Sequence, residues 1–129
     1  MPRHISILFP GQGSQYIGML DDLPTELVES FRSLALEALS FDIIDLIKNG
    51  NEEDLNKTSI TQPAILLTSF IYYKHLKNLT NIKADLMCGH SLGEYSALVA
   101  SNSITLDDAL KLVYQRGLLM ERSLKGSMY

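Results

Sequence analysis

The pentapeptide around Ser91, Gly89-His90-Ser91-Leu92-Gly93, has the Gly-x-Ser-x-Gly pattern in which a serine can act as a nucleophile. A strand that ends in this pattern and turns at once into a helix exposes the hydroxyl at the sheet edge, and the glycines let strand and helix pack closely. The helix N-terminus offers backbone N–H groups to a developing oxyanion, and the N–H of Leu92 is the natural first donor. The pattern predicts acyl-transfer chemistry at Ser91.

A serine hydroxyl is a poor nucleophile unless a base lies within hydrogen-bond reach. The sequence contains three histidines, His4, His75 and His90. We expect His90 to diverge from its neighbour Ser91, His4 to begin a strand, and His75 to be solvated beside two lysines. None follows Ser91, where the α/β-hydrolase order would place the histidine. The base is therefore either missing from this chain or supplied by a group that the pattern does not identify.

Other residues of interest have ordinary structural interpretations when each is taken alone. Arg116 precedes Gly117 on a long amphipathic helix, where an arginine is usually solvated. Cys88 is expected to be a small buried group in a strand. The loop Gly11 to Gln15 lacks the lysine of a phosphate-binding loop, so we do not predict a nucleotide site there.

The apolar pattern predicts the elements that must position Ser91. Strands alternate with helices, which indicates an α/β fold with a parallel sheet. Pro24 and Pro63 suit the first turns of helices, and Thr105 suits an N-cap. The expected strands are Ile5 to Phe9 and Ala84 to Cys88, both apolar, and the expected helices run from Pro24 to Ala38, Ile43 to Ile47, Thr61 to Leu76, Glu94 to Ala100 and Leu106 to Leu124, the last ended by Gly126.

Composition excludes several classes of function. The chain has 129 residues, a net charge of −4 and a single cysteine, so neither a nucleic-acid-binding face nor an intrachain disulfide is expected. No segment resembles a signal peptide or a membrane span. We expect one incomplete domain over residues 1–129 in the cytoplasm, with no metal and no resident cofactor.

Four motifs in this order resemble those of the malonyl-CoA:acyl carrier protein transacylases and of related acyltransferase domains. They cover nearly the whole chain, which makes the resemblance specific. The motifs are Phe9-Pro10-Gly11-Gln12-Gly13-Ser14-Gln15, Thr61-Gln62-Pro63-Ala64, Gly89-His90-Ser91-Leu92-Gly93-Glu94-Tyr95 and Gln115-Arg116-Gly117.

The resemblance implies a role for each matching residue. Ser91 would attack the malonyl thioester of malonyl-CoA, and the malonyl group would pass to the phosphopantetheine thiol of acyl carrier protein. The backbone N–H groups of Gln12 and Leu92 would form the oxyanion hole. Arg116 would hold the free malonyl carboxylate, and Gln62 would line the same site. The family's catalytic histidine would lie beyond position 129.

The resemblance also implies an architecture, an α/β-hydrolase-like parallel-sheet subdomain joined to a small ferredoxin-like subdomain that begins near 126–129 and is missing from this chain. The remainder of the same enzyme would then be a partner. Two alternatives stay open. One is a serine esterase or thioesterase of the α/β-hydrolase class, which would not need Arg116. The other is a non-catalytic fragment.

Overall fold

The computed structural model describes the backbone of residues 4–126 and, toward the C-terminus, side chains as far as Ser123. Within that part of the chain, two parallel strands form the sheet and helices pack against it. The elements are β1 (Ser6–Phe9), α1 (Thr25–Glu29), α2 (Arg32–Leu39), α3 (Ile43–Asn49), α4 (Glu52–Leu55), α5 (Thr58–Leu79), β2 (Leu86–Gly89), α6 (Leu92–Ala100) and α7 (Leu106–Gly126).

The strands pair in parallel with Phe9 opposite Gly89, so both end at the same sheet edge. The residues that follow are Pro10-Gly11 after β1 and His90-Ser91 after β2. Parallel strands bring the two candidate loops to one place, because their carboxyl ends share an edge. This places the Gly11 to Gln15 loop beside the serine.

The main core lies between α5 and the helices around it. Residues 61–69 of α5 are all buried, and the apolar face of α7 packs on the same helix through Ala109, Leu110 and Val113. A smaller cluster joins Phe9 to Ala97 and Ala100 of α6 beneath the sheet. These two packings fix α7 and α6 relative to α5 and the strands.

The two apolar strands are packed on only one face of the sheet. Leu8 is 72% exposed and Leu86 57% exposed, and Cys88, expected to be buried, is also exposed. The reason is that α5 and α6 cover only the face that carries Phe9, while no described element covers the opposite face. Alternation along the strands therefore separates a packed face from an open one.

Several element boundaries differ from the sequence prediction, and the largest differences are in the first helical segment and at the start of α5. The single helix expected from Pro24 to Ala38 is interrupted at Ser30 and Phe31, where Phe31 N–H bonds the carbonyl three residues earlier. Helix α5 begins at Thr58, so Pro63 lies inside it and not in its first turn. The periodicity of apolar residues persists across both features, and it therefore did not reveal them. Residues 127–129, where the small subdomain was expected to begin, lie outside the described residues.

Candidate active site

Ser91 lies at a strained turn between β2 and α6. Its φ of 54° and ψ of −111° are in a region that non-glycine residues rarely adopt, and its side chain is exposed. A residue held in such a conformation costs roughly 1–3 kcal/mol, and strain of this kind clusters at active sites. The strand, the turn and the helix together form the nucleophile elbow predicted from the sequence.

The glycines on either side of Ser91 allow that turn. A Cβ on Gly89 would lie 2.2 Å from the backbone of Gly93, and a Cβ on Gly93 would lie 2.3 Å from the carbonyl oxygen of Phe9. No side chain fits at these separations. The elbow is therefore built by direct backbone contact between β1, β2 and α6.

The Gly11 to Gln15 loop packs against the elbow. A Cβ on Gly11 would lie 2.7 Å from the carbonyl oxygen of His90. Two side-chain hydrogen bonds tie the loop to the region where α5 begins. Gln12 Nε2 donates to Thr58 Oγ1 at 3.3 Å, at the first residue of α5, and Gln15 Nε2 donates to Asn56 Oδ1 at 2.8 Å, just before the helix. These bonds hold the backbone of Gln12 close to the serine turn.

Two backbone donors are available at this edge of the sheet. Leu92 is the first residue of α6, so its N–H has no acceptor within the helix. Within residues 4–126, neither this N–H nor that of Gln12 donates a hydrogen bond. Unused backbone N–H groups beside an exposed serine hydroxyl are suited to stabilise an oxyanion.

Arg116 reaches Ser91 from α7. Its Nη2 donates to Ser91 Oγ at 3.1 Å, and its Nη1 donates to Gln62 Oε1 at 2.8 Å. The guanidinium carbon lies 5.4 Å from the centre of the Tyr95 ring, within the range of a cation–π contact. Arg116 is half-buried, so the usual solvated role of a helix arginine does not apply to it.

Gln62 is fully buried and joins Arg116 to a second residue of α7. Its Oε1 accepts from Arg116, and its Nε2 contacts Met120 Sδ at 3.0 Å. A guanidinium has only donors, so the amide oxygen must face Arg116 and the amide nitrogen must face the sulfur. Gln62 is thus a direct partner of the arginine.

Helix α7 approaches α5 closely beside this group. A Cβ on Gly117 would lie 2.5 Å from Ser59 Cα, and the N–H of Ser59 donates to Glu121 Oε1 at 2.8 Å. The distance between the two helices is therefore set by Gly117, which has no side chain, and by the carboxylate of Glu121. That distance determines where Arg116 points.

None of the three histidines reaches Ser91. His4 precedes β1 and lies 3.9 Å from Asp85, at the amino ends of the strands. The length of a four-residue strand, roughly 13 Å, therefore separates it from the turn that carries Ser91. His75 lies thirteen residues beyond Gln62 on α5, about 20 Å along the helix. His90 makes no side-chain hydrogen bond within the described residues, where Ser91 Oγ has Arg116 as its single hydrogen-bond partner.

The structure thus brings Ser91, Arg116 and Gln62 into one hydrogen-bonded group, with the Gln12 loop and Leu92 beside it. Sequence reasoning missed Tyr95, Thr58 and Met120. Spacing could have indicated two of these, because Tyr95 lies four residues after Ser91 and Met120 four after Arg116, one helical turn on. Thr58 contacts the loop only through tertiary packing.

Within the described residues, no cluster of three or more His, Cys, Asp or Glu is placed to bind a metal, and no helix is long and apolar enough to cross a bilayer. A strained serine, unused backbone donors and an arginine therefore meet on an α/β scaffold, and these are the kinds of group that acyl transfer requires.

Comparison with known proteins identifies the family. Residues 7–129 match the acyl transferase domain family, so the chain belongs to it. This confirms the resemblance on which the sequence prediction rested.

The chain is 45% identical to the malonyl CoA-acyl carrier protein transacylase of Haemophilus influenzae, over 98% of this chain and 43% of that protein. Two solved structures each superpose with a TM-score of 0.88. A malonyl-transacylase in complex with a type II PKS acyl-carrier protein is 43% identical, over 93% of this chain and 40% of its own length. The transacylase FabD from Coxiella burnetii is 39% identical, over 94% and 39%. The chain thus spans about two fifths of these relatives.

Proposed function

We propose that this chain carries the nucleophile, the oxyanion hole and the acyl-carboxylate clamp of a malonyl-CoA:acyl carrier protein transacylase of fatty acid biosynthesis. Ser91 attacks the thioester carbon of malonyl-CoA, CoA leaves as the thiol, and a malonyl ester forms on Ser91. The phosphopantetheine thiol of acyl carrier protein then takes the malonyl group and regenerates the serine. Malonyl-CoA and acyl carrier protein are substrates, and no resident cofactor takes part.

The observation that carries this proposal is the hydrogen bond from Arg116 to Ser91. A guanidinium within 3.1 Å of a nucleophile provides a counter-charge for an acyl group that itself bears a carboxylate. The planar group can bind both carboxylate oxygens, which a lysine cannot reproduce. Gln62 and Tyr95 hold the guanidinium in place, so the Arg116 side chain loses little conformational entropy when a carboxylate binds.

The placement of the other residues supports the roles assigned to them. The N–H groups of Gln12 and Leu92 stabilise the oxyanion of each tetrahedral intermediate, and one such donor contributes roughly 3–4 kcal/mol. Gln62 orients Arg116. A histidine from outside these 129 residues supplies the base, since no histidine of the described residues makes a hydrogen bond with Ser91 Oγ.

In this proposal residues 1–129 form the first part of an α/β-hydrolase-like subdomain of a cytoplasmic enzyme, next to a ferredoxin-like one. The exposed apolar face of the sheet, with Leu8 and Leu86, supports a larger sheet or a covering layer in the intact protein.

The competing enzyme class is a serine esterase or thioesterase of the α/β-hydrolase type, which has no use for a carboxylate clamp. Replacement Arg116→Ala in the intact gene product discriminates between the two. We expect malonyl transfer to fall at least a hundredfold, because a charge-assisted bidentate contact is lost, while acetyl transfer falls less than fivefold or rises. Initial rates with malonyl-CoA and acetyl-CoA measure the ratio.

A matched control is Arg122→Ala, an exposed arginine two turns further along α7. It should leave both rates unchanged. An equal loss of malonyl and acetyl transfer in Arg116→Ala would contradict the clamp and favour the hydrolase class. Hydrolysis of both thioesters with no transfer to acyl carrier protein would contradict the proposed reaction itself.

A further inference from the structure

Met120 is the one sulfur that contacts the arginine–glutamine pair among the described residues. Its Sδ lies 3.0 Å from Gln62 Nε2, and it is half-buried on α7 one turn after Arg116. The amide of Gln62 is wholly inaccessible to solvent, so water does not replace this contact. The sulfur is the only partner that the amide N–H group has within the described residues.

The contact determines which way Gln62 presents its amide. The two ends of the amide are opposite in character, one an acceptor and the other a donor. Arg116 requires the acceptor, and the thioether, which has no hydrogen to donate, takes the donor. With one partner of the right character at each end, a single amide orientation is favoured, and that orientation aims Gln62 Oε1 at Arg116 Nη1.

Arg116 has two such orienting contacts besides Ser91. The Tyr95 ring limits the tilt of the guanidinium, and Gln62 fixes Nη1, which leaves Nη2 directed at Ser91 Oγ. Removal of the sulfur would leave a buried N–H group without an acceptor. A buried donor in that state is costly, so Gln62 would turn or shift to recover a partner. The consequence reaches Ser91 only through the arginine.

We propose that Met120 is a positioning residue, which holds Arg116 in its carboxylate-binding geometry through the amide of Gln62. This inference rests on the proposed function, because it concerns selection of a carboxylate-bearing acyl group. Met120 itself touches no reacting atom.

The test is Met120→Leu in the intact gene product, with Met120→Gln as the rescue variant. Leucine keeps the apolar volume and removes the acceptor, whereas glutamine restores an acceptor oxygen at similar reach. We expect Met120→Leu to raise the KM for malonyl-CoA about three- to tenfold with a smaller change in kcat, and to leave acetyl transfer within twofold. Met120→Gln should recover at least half of the loss.

A matched control is Met87→Leu, since Met87 is also half-buried but packs beneath the sheet, where its sulfur accepts no hydrogen bond from the described residues. It should leave the malonyl-to-acetyl ratio unchanged. An unchanged ratio in Met120→Leu, or an equal loss for both substrates without rescue by glutamine, would overturn the positioning role. If the parent protein itself transfers no malonyl group, the proposed function fails instead, and the two failures are therefore distinct.

Discussion

Replacement of Gly117 by alanine tests whether the spacing of two helices controls the site. Gly117 is buried on α7, next to Arg116. An added Cβ would lie 2.5 Å from Ser59 Cα and 2.9 Å from both Ser59 N and Thr58 O. All three are backbone atoms at the start of α5, so no side-chain rotation relieves the contact. Carbon atoms pack at about 3.5 Å or more, so the helices must separate by about 1 Å.

Two opposing effects decide the stability of Gly117→Ala. Alanine favours a helix interior over glycine by about 1 kcal/mol. Overpacking of this kind costs about 1–3 kcal/mol. The separation would also stretch the 2.8 Å bond from Ser59 N–H to Glu121, which contributes about 1 kcal/mol. The clash and the lost bond outweigh the propensity, which leaves a net loss of about 1–3 kcal/mol.

The same separation moves Arg116 away from Gln62, which lies one turn after Ser59 on α5. We therefore expect malonyl transfer to fall more than acetyl transfer. Urea denaturation gives the change in stability, and paired rates with the two CoA thioesters give the selectivity. The control is Lys111→Ala, an exposed position on α7, which should be near neutral in both assays. A variant more stable by about 1 kcal/mol, with selectivity intact, would refute the reasoning, because propensity alone would then account for it.

Two further predictions concern stability with pH and activity of the chain alone. The hydrogen bond from Arg32 lowers the pKa of Glu29, so this pair stabilises the fold above the unfolded-state pKa of about 4.3, and its contribution disappears as pH falls through the lower folded-state pKa. The loss of stability caused by Arg32→Gln, measured by urea denaturation, should therefore be smaller at pH 3 than at pH 6, because pH ~3 lies below the ordinary pKa range of carboxyl groups. A loss of stability that stays constant with pH would contradict this origin. The isolated 129-residue chain should form acyl-Ser91 at least about a hundredfold more slowly than the intact gene product, because a general base accelerates such a step by about that factor. The rate of acyl-Ser91 formation is measured by intact mass after mixing with malonyl-CoA. Equally fast acylation of the isolated chain would show that these residues contain the base.

The elbow was predictable because its signal is local, whereas the place of Arg116 in the site was predicted only from the resemblance of the Gln115-Arg116-Gly117 motif. A strand, a Gly-x-Ser-x-Gly turn and a helix follow one another in the sequence, and Gly89 and Gly93 are required by backbone contacts at that turn. The parallel pairing of β1 with β2 followed from strands that alternate with helices. Neighbouring residues thus determine the elbow, and the order of the elements along the chain indicates the strand pairing.

The partners of Arg116 were less predictable because they depend on how two long helices dock. Gln62 lies 54 residues from Arg116 in the chain, and its burial follows from the packing of α7 on α5. The exposure of Cys88 likewise depends on which sheet face the helices cover. Composition assigns an average burial to a residue type, whereas tertiary packing decides the individual case.

The contact between Arg116 and Ser91 also bears on the length of the acyl group. Arg116 Nη2 donates to the uncharged Ser91 Oγ at 3.1 Å. A carboxylate is a stronger acceptor than a hydroxyl, so under the proposed function a bound malonyl carboxylate would take over the guanidinium and free the serine oxygen to attack. In a malonyl group one methylene separates the two carboxyl carbons, which places them about 2.5 Å apart. A clamp that starts in hydrogen-bond contact with the nucleophile therefore suits the shortest such diacid. Each additional methylene would require Arg116 to move away from Ser91, against the contacts that Gln62 and Tyr95 make with it.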